Sequence, residues 1–360
     1  MTLAEQLQRR HLADLVPYAS ARRSMSGGNI WLNANESPYN NEYQLDATQL
    51  NRYPAFQSNE LNQAYAGYAG VAAEQVMSCR GSDEAIELLI RAFCEPGQDN
   101  IVICPPTYGM YAISAQTHGA AVTEIPLRTN DWQLDLENVI AAAQDAKLVF
   151  LCSPSNPLGN RLNPRDLQRV LSDCPDTLVV VDEAYIEFCA DASTAGWLSD
   201  YPNLVVLRTL SKAFALAGAR CGFALANQDI IEVLKKVLAP YPLPDLTVQV
   251  ATQALNSTGL QRLSQQVNDL LSERKRLRFA LDSLPMQLIA DSDTNFLLYA
   301  TDEPESLIAA LAADGILIRN QSAQRCLPSC VRISIGSQAQ NDALIEAITT
   351  YFDVQAGVKK

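Results

Sequence analysis

Short, continuous apolar runs alternate with segments of helical periodicity along this chain, and that alternation restricts its fold more than any other feature. The runs "NIVIC", "KLVFLC", "TLVVVD" and "NLVVLR" are rich in β-branched residues, and between them stand "SDEAIELLIRAFCEPG" and "NPRDLQRVLSDCP", which repeat their apolar residues at helical spacing. Strands apolar at successive positions are buried on both faces, so the pattern predicts βαβ units around a largely parallel sheet. The first helical segment is expected to be capped by Ser82 and closed by Pro96-Gly97, the second to be capped by Asn163 with Pro164 at its first position.

After "APYPLPDL" the pattern changes. A long helical stretch follows in which Leu260, Leu263, Val267, Leu270, Leu277, Leu281 and Leu284 form one face, and "TNFLLYA" and "CVRISIG" read as strands beyond it. With 360 residues and about 100–200 per domain, two domains are expected. We divide the chain into an N-terminal arm over 1–28, a large α/β domain over 29–244 and a smaller α+β domain over 245–360.

Charge and cysteine usage exclude several classes. Asp and Glu outnumber Lys and Arg, 40 against 27, and no basic run interrupts the acidic background, which argues against nucleic-acid binding. The opening "MTLAEQLQRRHLADLVPYAS" lacks the apolar core of a signal peptide, and no apolar run is long enough for a membrane span. Nine scattered cysteines fit reduced thiols and a cytoplasmic protein. Cys326 and Cys330 are the closest pair but lack the companions of a metal site, so no metal is expected, and two histidines, His11 and His118, disfavour histidine-centred chemistry.

The chemistry concentrates in "TLSKAFALAGARCGF". Lys212 stands there among small and apolar residues, with Thr209, Ser211 and Arg220 around it as donors suited to a phosphate. A poorly solvated pocket favours the neutral amine that attacks a carbonyl. Asp182 closes "LVVVD", at the carboxyl end of an expected parallel strand where open α/β sheets form their ligand crevices. Taken singly, Asp182, Tyr185 and Asn156 also read as turn or half-buried residues; Lys212 with its phosphate donors suits an aldehyde cofactor that carries a phosphate, pyridoxal 5′-phosphate, and Asp182 supplies the carboxylate its ring nitrogen wants.

Roughly residues 15 to 350 resemble the fold-type I pyridoxal-phosphate aminotransferases and, within them, the histidinol-phosphate aminotransferases. The resemblance is carried by "LNANESPY", "NRYP", "CRGSDEAIELLIRAFCEPG", "CPPTYGMY", "CSPSNPLG", "VVDEAYIEF", "RTLSKAFALAGARCGF" and "CVRISIG" in this order. Ser37, Ser155 and Leu158 depart from the usual motifs and flank the chemical groups.

The resemblance implies that Lys212 bonds to the cofactor aldehyde and serves as the acid/base catalyst. It implies that Asp182 pairs with the ring nitrogen, that Tyr185 and Asn156 donate to the phenolic oxygen, and that Tyr108 stacks on the ring. The phosphate is expected on the "GSDEA" helix start, at the amides of Ser82 and Asp83 with the Asp83 side chain turned away, and on Thr209, Ser211 and Arg220. Tyr53 is expected to reach the phosphate across the interface of a homodimer. Arg332 and Arg319 are the expected anion grips for substrate, with Tyr18 and Asn35 beside them.

The activity so implied is transfer of an amino group from glutamate to imidazole-acetol phosphate, giving 2-oxoglutarate and L-histidinol phosphate in two half reactions, within histidine biosynthesis. Related readings are an aromatic aminotransferase or a threonine-phosphate decarboxylase. From another class comes a non-catalytic pyridoxal-phosphate-binding regulator, against which the intact Lys212, Asp182, Tyr185 and Arg220 argue.

Overall fold

A computed structural model describes residues 2–25 and 27–358. Its strands, in chain order, are β1 (Ile30–Trp31), β2 (Val76–Cys79), β3 (Asn100–Ile103), β4 (Ala121–Glu124), β5 (Leu148–Cys152), β6 (Leu178–Asp182), β7 (Leu204–Thr209), β8 (Gly222–Ala226), β9 (Gln287–Leu288), β10 (Phe296–Ala300), β11 (Ile316–Leu317), β12 (Arg319–Asn320) and β13 (Cys330–Ser334). Seven of them build the central sheet in the order β2-β8-β7-β6-β5-β3-β4. Pairings from β4 to β7 are parallel and only β8 runs against its neighbours, so the sheet is mostly parallel, as the apolar runs predict.

Alternate residues of one strand enter two separate cores. Val149, Leu151, Val179, Val181 and Val206 belong to one cluster, whereas Leu148, Phe150, Val180, Val205 and Leu207 belong to the other. The sheet is therefore covered on both faces, which is why its strands show no polar alternation.

The helices depart from expectation in two places. Helix Ser82–Phe93 is capped by Gly81 rather than Ser82. Gly81 sits at φ +77°, where a side chain is disfavoured, and the turn it makes brings Ser82 into the first helical position. The long helix Ser257–Leu281 ends before Leu284, which packs on the core just beyond it. Helix Pro164–Asp173 follows the sequence reading, with the Asn163 side chain accepting from Arg165 N and Pro164 at its start.

Beyond the central sheet, β9, β10, β12 and β13 form an antiparallel sheet in the order β12-β13-β10-β9. Two contacts tie this C-terminal region to the N-terminal part of the chain. β1 pairs in parallel with β11, and Ser334 N donates to Leu32 O at 2.9 Å. Helix Asp245–Ala254 in turn packs on helix Asn59–Ala69, and Thr247 Oγ1 donates to Ala219 O at 2.9 Å. No helix among the described residues is long and apolar enough to cross a membrane.

Candidate active site

The carboxyl ends of β5, β6 and β7 meet the start of helix Ser82–Phe93 and the inner face of β13 around a cavity of about 510 Å³. Every candidate residue named from the sequence borders it except Tyr53. Register explains part of the convergence: Cys152 pairs with Asp182, and Thr209 with Gly222, whose other neighbour is Cys79 at the end of β2.

Asp182 is buried at the cavity floor. Its Oδ1 accepts from Ala184 N at 3.1 Å and its Oδ2 from the Tyr111 hydroxyl at 2.7 Å. Burial lifts its pKa to about 6 against the pull of these two donors. Across the cavity the Lys212 amine donates to Ala34 O at 3.1 Å and lies 5.7 Å from the centre of the Tyr185 ring. Loss of solvation, reinforced by the charge of Arg332, lowers its pKa to about 8. A buried acid and a depressed amine thus face one cavity, the pairing that marks functional sites.

Tyr185 is buried edge-on to Phe296, and its hydroxyl accepts from Asn35 Nδ2 at 2.9 Å. Burial drives its phenol pKa upward, so it stays protonated and able to donate. Asn35, held at φ +53° with its backbone N on Ser334 Oγ at 2.8 Å, stands behind Tyr185. The amide oxygen of Asn156 accepts from Arg332 Nη1, leaving its NH2 group for other acceptors.

At the other end, Thr209 Oγ1 donates to Ser211 Oγ at 2.9 Å, and Arg220 Nη1 reaches Ser211 Oγ at 3.4 Å. Arg220 adopts φ +55°, a left-handed conformation costing roughly 1–3 kcal/mol for such a residue, and from there its guanidinium meets the helix start. Two glycines make that approach possible. A Cβ on Gly81 would lie 2.9 Å from Arg220 Nη2, and one on Gly222 would lie 2.5 Å from Gly81 C and Ser82 N. Backbone amides, hydroxyls and a guanidinium therefore converge as an anion cradle.

One expectation here is corrected. Asp83 does not turn away: its carboxylate accepts from the Tyr108 hydroxyl at 2.9 Å and pairs with Arg220 Nη2 at 3.4 Å. Both donors converge on the carboxylate, and a helix start favours an anion. Tyr108 in turn stands edge-on to Tyr18, whose ring centre is 6.1 Å away.

The cationic wall is built by β12 and β13. Arg332 is buried, with Nη2 donating to Asn33 O at 3.1 Å and Nε lacking a partner. Arg319 lies directly opposite it in the register and donates to Ala19 O. Two like charges side by side on paired strands are unfavourable unless an anion is to be held between them. Tyr53 lies apart from all of this, 80% exposed and stacked on Tyr241 with ring centres 4.3 Å apart.

Tyr111 escaped the sequence reading. It follows Tyr108 by three positions in "CPPTYGMY", a spacing that brings both rings to one side of the helix start, but nothing local distinguishes it from a core tyrosine. The donor set as a whole fits pyridoxal 5′-phosphate: a depressed amine for the aldehyde, a buried acid for the ring nitrogen and a glycine-lined cradle for the phosphate.

Residues 28–348 match the family profile described as aminotransferase class I and II. The chain is 64% identical over 356 residues to histidinol-phosphate aminotransferase 2 of Idiomarina loihiensis, covering 98% of this chain and 100% of that protein. It is 50% identical over 349 residues to histidinol-phosphate aminotransferase of Vibrio cholerae, covering 97% and 99%. Among solved structures, histidinol-phosphate aminotransferase from Sinorhizobium meliloti in complex with pyridoxal-5′-phosphate superposes with a TM-score of 0.84 at 24% identity, covering 96% of this chain and 98% of that one. That likeness bears on the fold.

Proposed function

The chain belongs to the class I and II aminotransferase family, and from that premise we propose that it interconverts L-histidinol phosphate and 2-oxoglutarate with imidazole-acetol phosphate and L-glutamate, in histidine biosynthesis. The observation that carries the substrate choice is the pair Arg332 and Arg319, adjacent in register on the wall that faces Lys212 and Asp182. The chain carries a net charge of −13, so anionic substrates are drawn by local cations and not by the overall field. The unpartnered Nε of Arg332 supplies a donor for the glutamate carboxylate in one half reaction and for the phosphate monoester in the other.

Pyridoxal 5′-phosphate, when bound, supplies the electron sink into which the Cα–H bond of the amino donor is broken. Asp182 would hold the ring nitrogen as its counter-ion. The backbone amides after Gly81, with Thr209, Ser211 and Arg220, would hold the phosphate, while Asn156 and Tyr185 would donate to the ring oxygen and Tyr108 would stack on the ring. Lys212 would hold the cofactor through its aldehyde, and its free Nζ would carry the proton from the substrate Cα to the former aldehyde carbon, on the far side of the nitrogen. The lowered pKa of about 8 increases the share of neutral amine near neutral pH, the form that attacks a carbonyl or takes up a proton. Tyr18 and Asn35 border the substrate end, Asn35 by orienting Tyr185.

The working unit in this reading is a homodimer in the cytoplasm, with Tyr53 completing the partner's phosphate site. The exposed Tyr53–Tyr241 stack and nine free cysteines support it.

Rates with histidinol phosphate, histidinol, phenylalanine and threonine phosphate test the proposal. Hydrogen bonds to charged groups contribute roughly 1.5–3 kcal/mol each, so histidinol phosphate should exceed histidinol by several powers of ten in kcat/KM. Arg332→Ala should weaken histidinol phosphate and glutamate alike. Comparable values for histidinol and its phosphate ester would overturn the substrate assignment, whereas near-normal turnover by Lys212→Ala would overturn the catalytic one.

A further inference from the structure

We propose that Tyr111 is a positioning residue for Asp182, its hydroxyl holding one carboxylate oxygen so that the acid presents its remaining lone pairs to the ring nitrogen of the bound cofactor. The proposal rests on the reading of Asp182 as that nitrogen's partner. It starts from a bond of 2.7 Å between Tyr111 Oη and Asp182 Oδ2, both groups buried. Tyr111 is fully enclosed, and its ring lies against Phe150 at 4.9 Å and 16°, with Tyr108 edge-on at 5.7 Å and 87°. Phe150 pairs in register with Val180 on β6, the strand that ends at Asp182. The hydroxyl is thus fixed to the same sheet as the acid it serves.

Each Asp182 oxygen receives one donor, Ala184 N on Oδ1 and Tyr111 on Oδ2. Ala184 N is backbone and invariant to side-chain change, so the tyrosine is the one adjustable donor of this pair. The other titratable and charged groups facing Asp182 are the Cys152 thiol from β5, the Tyr185 phenol, Asp83 from helix Ser82–Phe93 and Glu183 just beyond β6. The two acids push Asp182 upward, in the same direction as burial, while Tyr111 and Ala184 pull it down. Loss of the hydroxyl therefore raises the pH at which Asp182 takes up a proton. A protonated acid is no counter-ion for a charged ring nitrogen, so cofactor affinity then fails at a higher pH.

The test is the dissociation constant of pyridoxal 5′-phosphate measured from pH 5 to 8. Tyr111→Phe keeps the ring stack and should move the acid limb of affinity upward by about one pH unit, which is about a tenfold loss near pH 6 and less at pH 8. In an Asp182→Ala background the same change should alter affinity less than about twofold, because a residue that acts through Asp182 has nothing left to act on. Replacing Tyr111 by 3-fluorotyrosine retains the side chain and strengthens the donor, and should move the limb downward. An unshifted limb in both Tyr111 variants would overturn the proposal, as would an equal loss in both backgrounds, which marks a purely structural residue. Wild-type affinity in Asp182→Ala alone would instead overturn the assignment of Asp182 itself.

Discussion

The Arg208 guanidinium donates from Nε to Oε2 of Glu183 at 2.7 Å with both side chains sealed from water, one residue before Thr209 and one after Asp182. Glu183 Oε1 also accepts from the Thr194 hydroxyl at 2.8 Å, and Arg208 Nη2 donates to Ser193 Oγ at 2.8 Å. The pair joins β7 to the segment after β6, each partner next in sequence to a residue that lines the cavity. Removing one partner strands the other charge in the interior, so Glu183→Ala should cost about 3–5 kcal/mol of unfolding free energy. Replacing both by apolar residues of similar volume should cost less than either single change. Urea melts of the three variants check this, and a single-variant cost below about 1 kcal/mol would contradict it.

Glu187 behaves differently from Glu183. Among the described residues no other residue donates a hydrogen bond to its carboxylate, and Arg208 Nη1 lies 3.9 Å away. Burial raises its pKa to about 7, with Arg208 opposing only in part. The folded protein therefore holds a proton that the unfolded chain releases near pH 4.3, and stability falls as pH rises from there through 7. Glu187→Gln mimics the protonated acid. It should be nearly neutral at pH 5 and stabilising by roughly 1–3 kcal/mol at pH 8, a difference that urea midpoints at the two pH values will reveal.

Gly222 is the glycine on which the anion cradle depends. A Cβ there would meet Gly81 C and Ser82 N at 2.5 Å, and both are backbone atoms that move only with the helix start. Gly222→Ala should destabilise the fold by about 1–3 kcal/mol and weaken pyridoxal 5′-phosphate binding at least about tenfold. Gly218→Ala, whose Cβ meets nothing within 4 Å, is the control and should stay within about 0.5 kcal/mol of the parent. Equal cofactor affinity in the two variants would remove the cradle from this position.

Tyr53 provides a test of assembly. If each site takes Tyr53 from the partner subunit, Tyr53→Ala and Lys212→Ala homodimers are both crippled, but a mixed dimer carries one intact site. Subunit exchange between the two should recover about a quarter of full activity, half the dimers being mixed and half their sites intact. Absence of recovery after exchange has been verified by mass spectrometry would exclude sharing.

Much of this protein is legible in residue order alone. Apolar runs such as Leu148–Cys152 and Leu178–Asp182 announce strands buried on both faces, and an amine at Lys212 among hydroxyls, glycines and small apolar residues announces carbonyl chemistry beside a phosphate. These are local signals, carried by spacing and by the cost of burying a charge, so they survive without coordinates. Other features are decided by packing between distant segments. Gly81 took the capping position expected of Ser82 because the turn at φ +77° had to clear Arg220, and Asp83 faced inward because Arg220 and Tyr108 converged on it from elsewhere in the chain. Arg319 and Arg332 became neighbours only through the register of β12 on β13, and Tyr111 met Asp182 across 71 positions of sequence. Which groups are chemically competent is written in residue type and local spacing; which of them touch is set by burial and hydrogen-bond satisfaction across the whole fold, and no window of sequence contains that information.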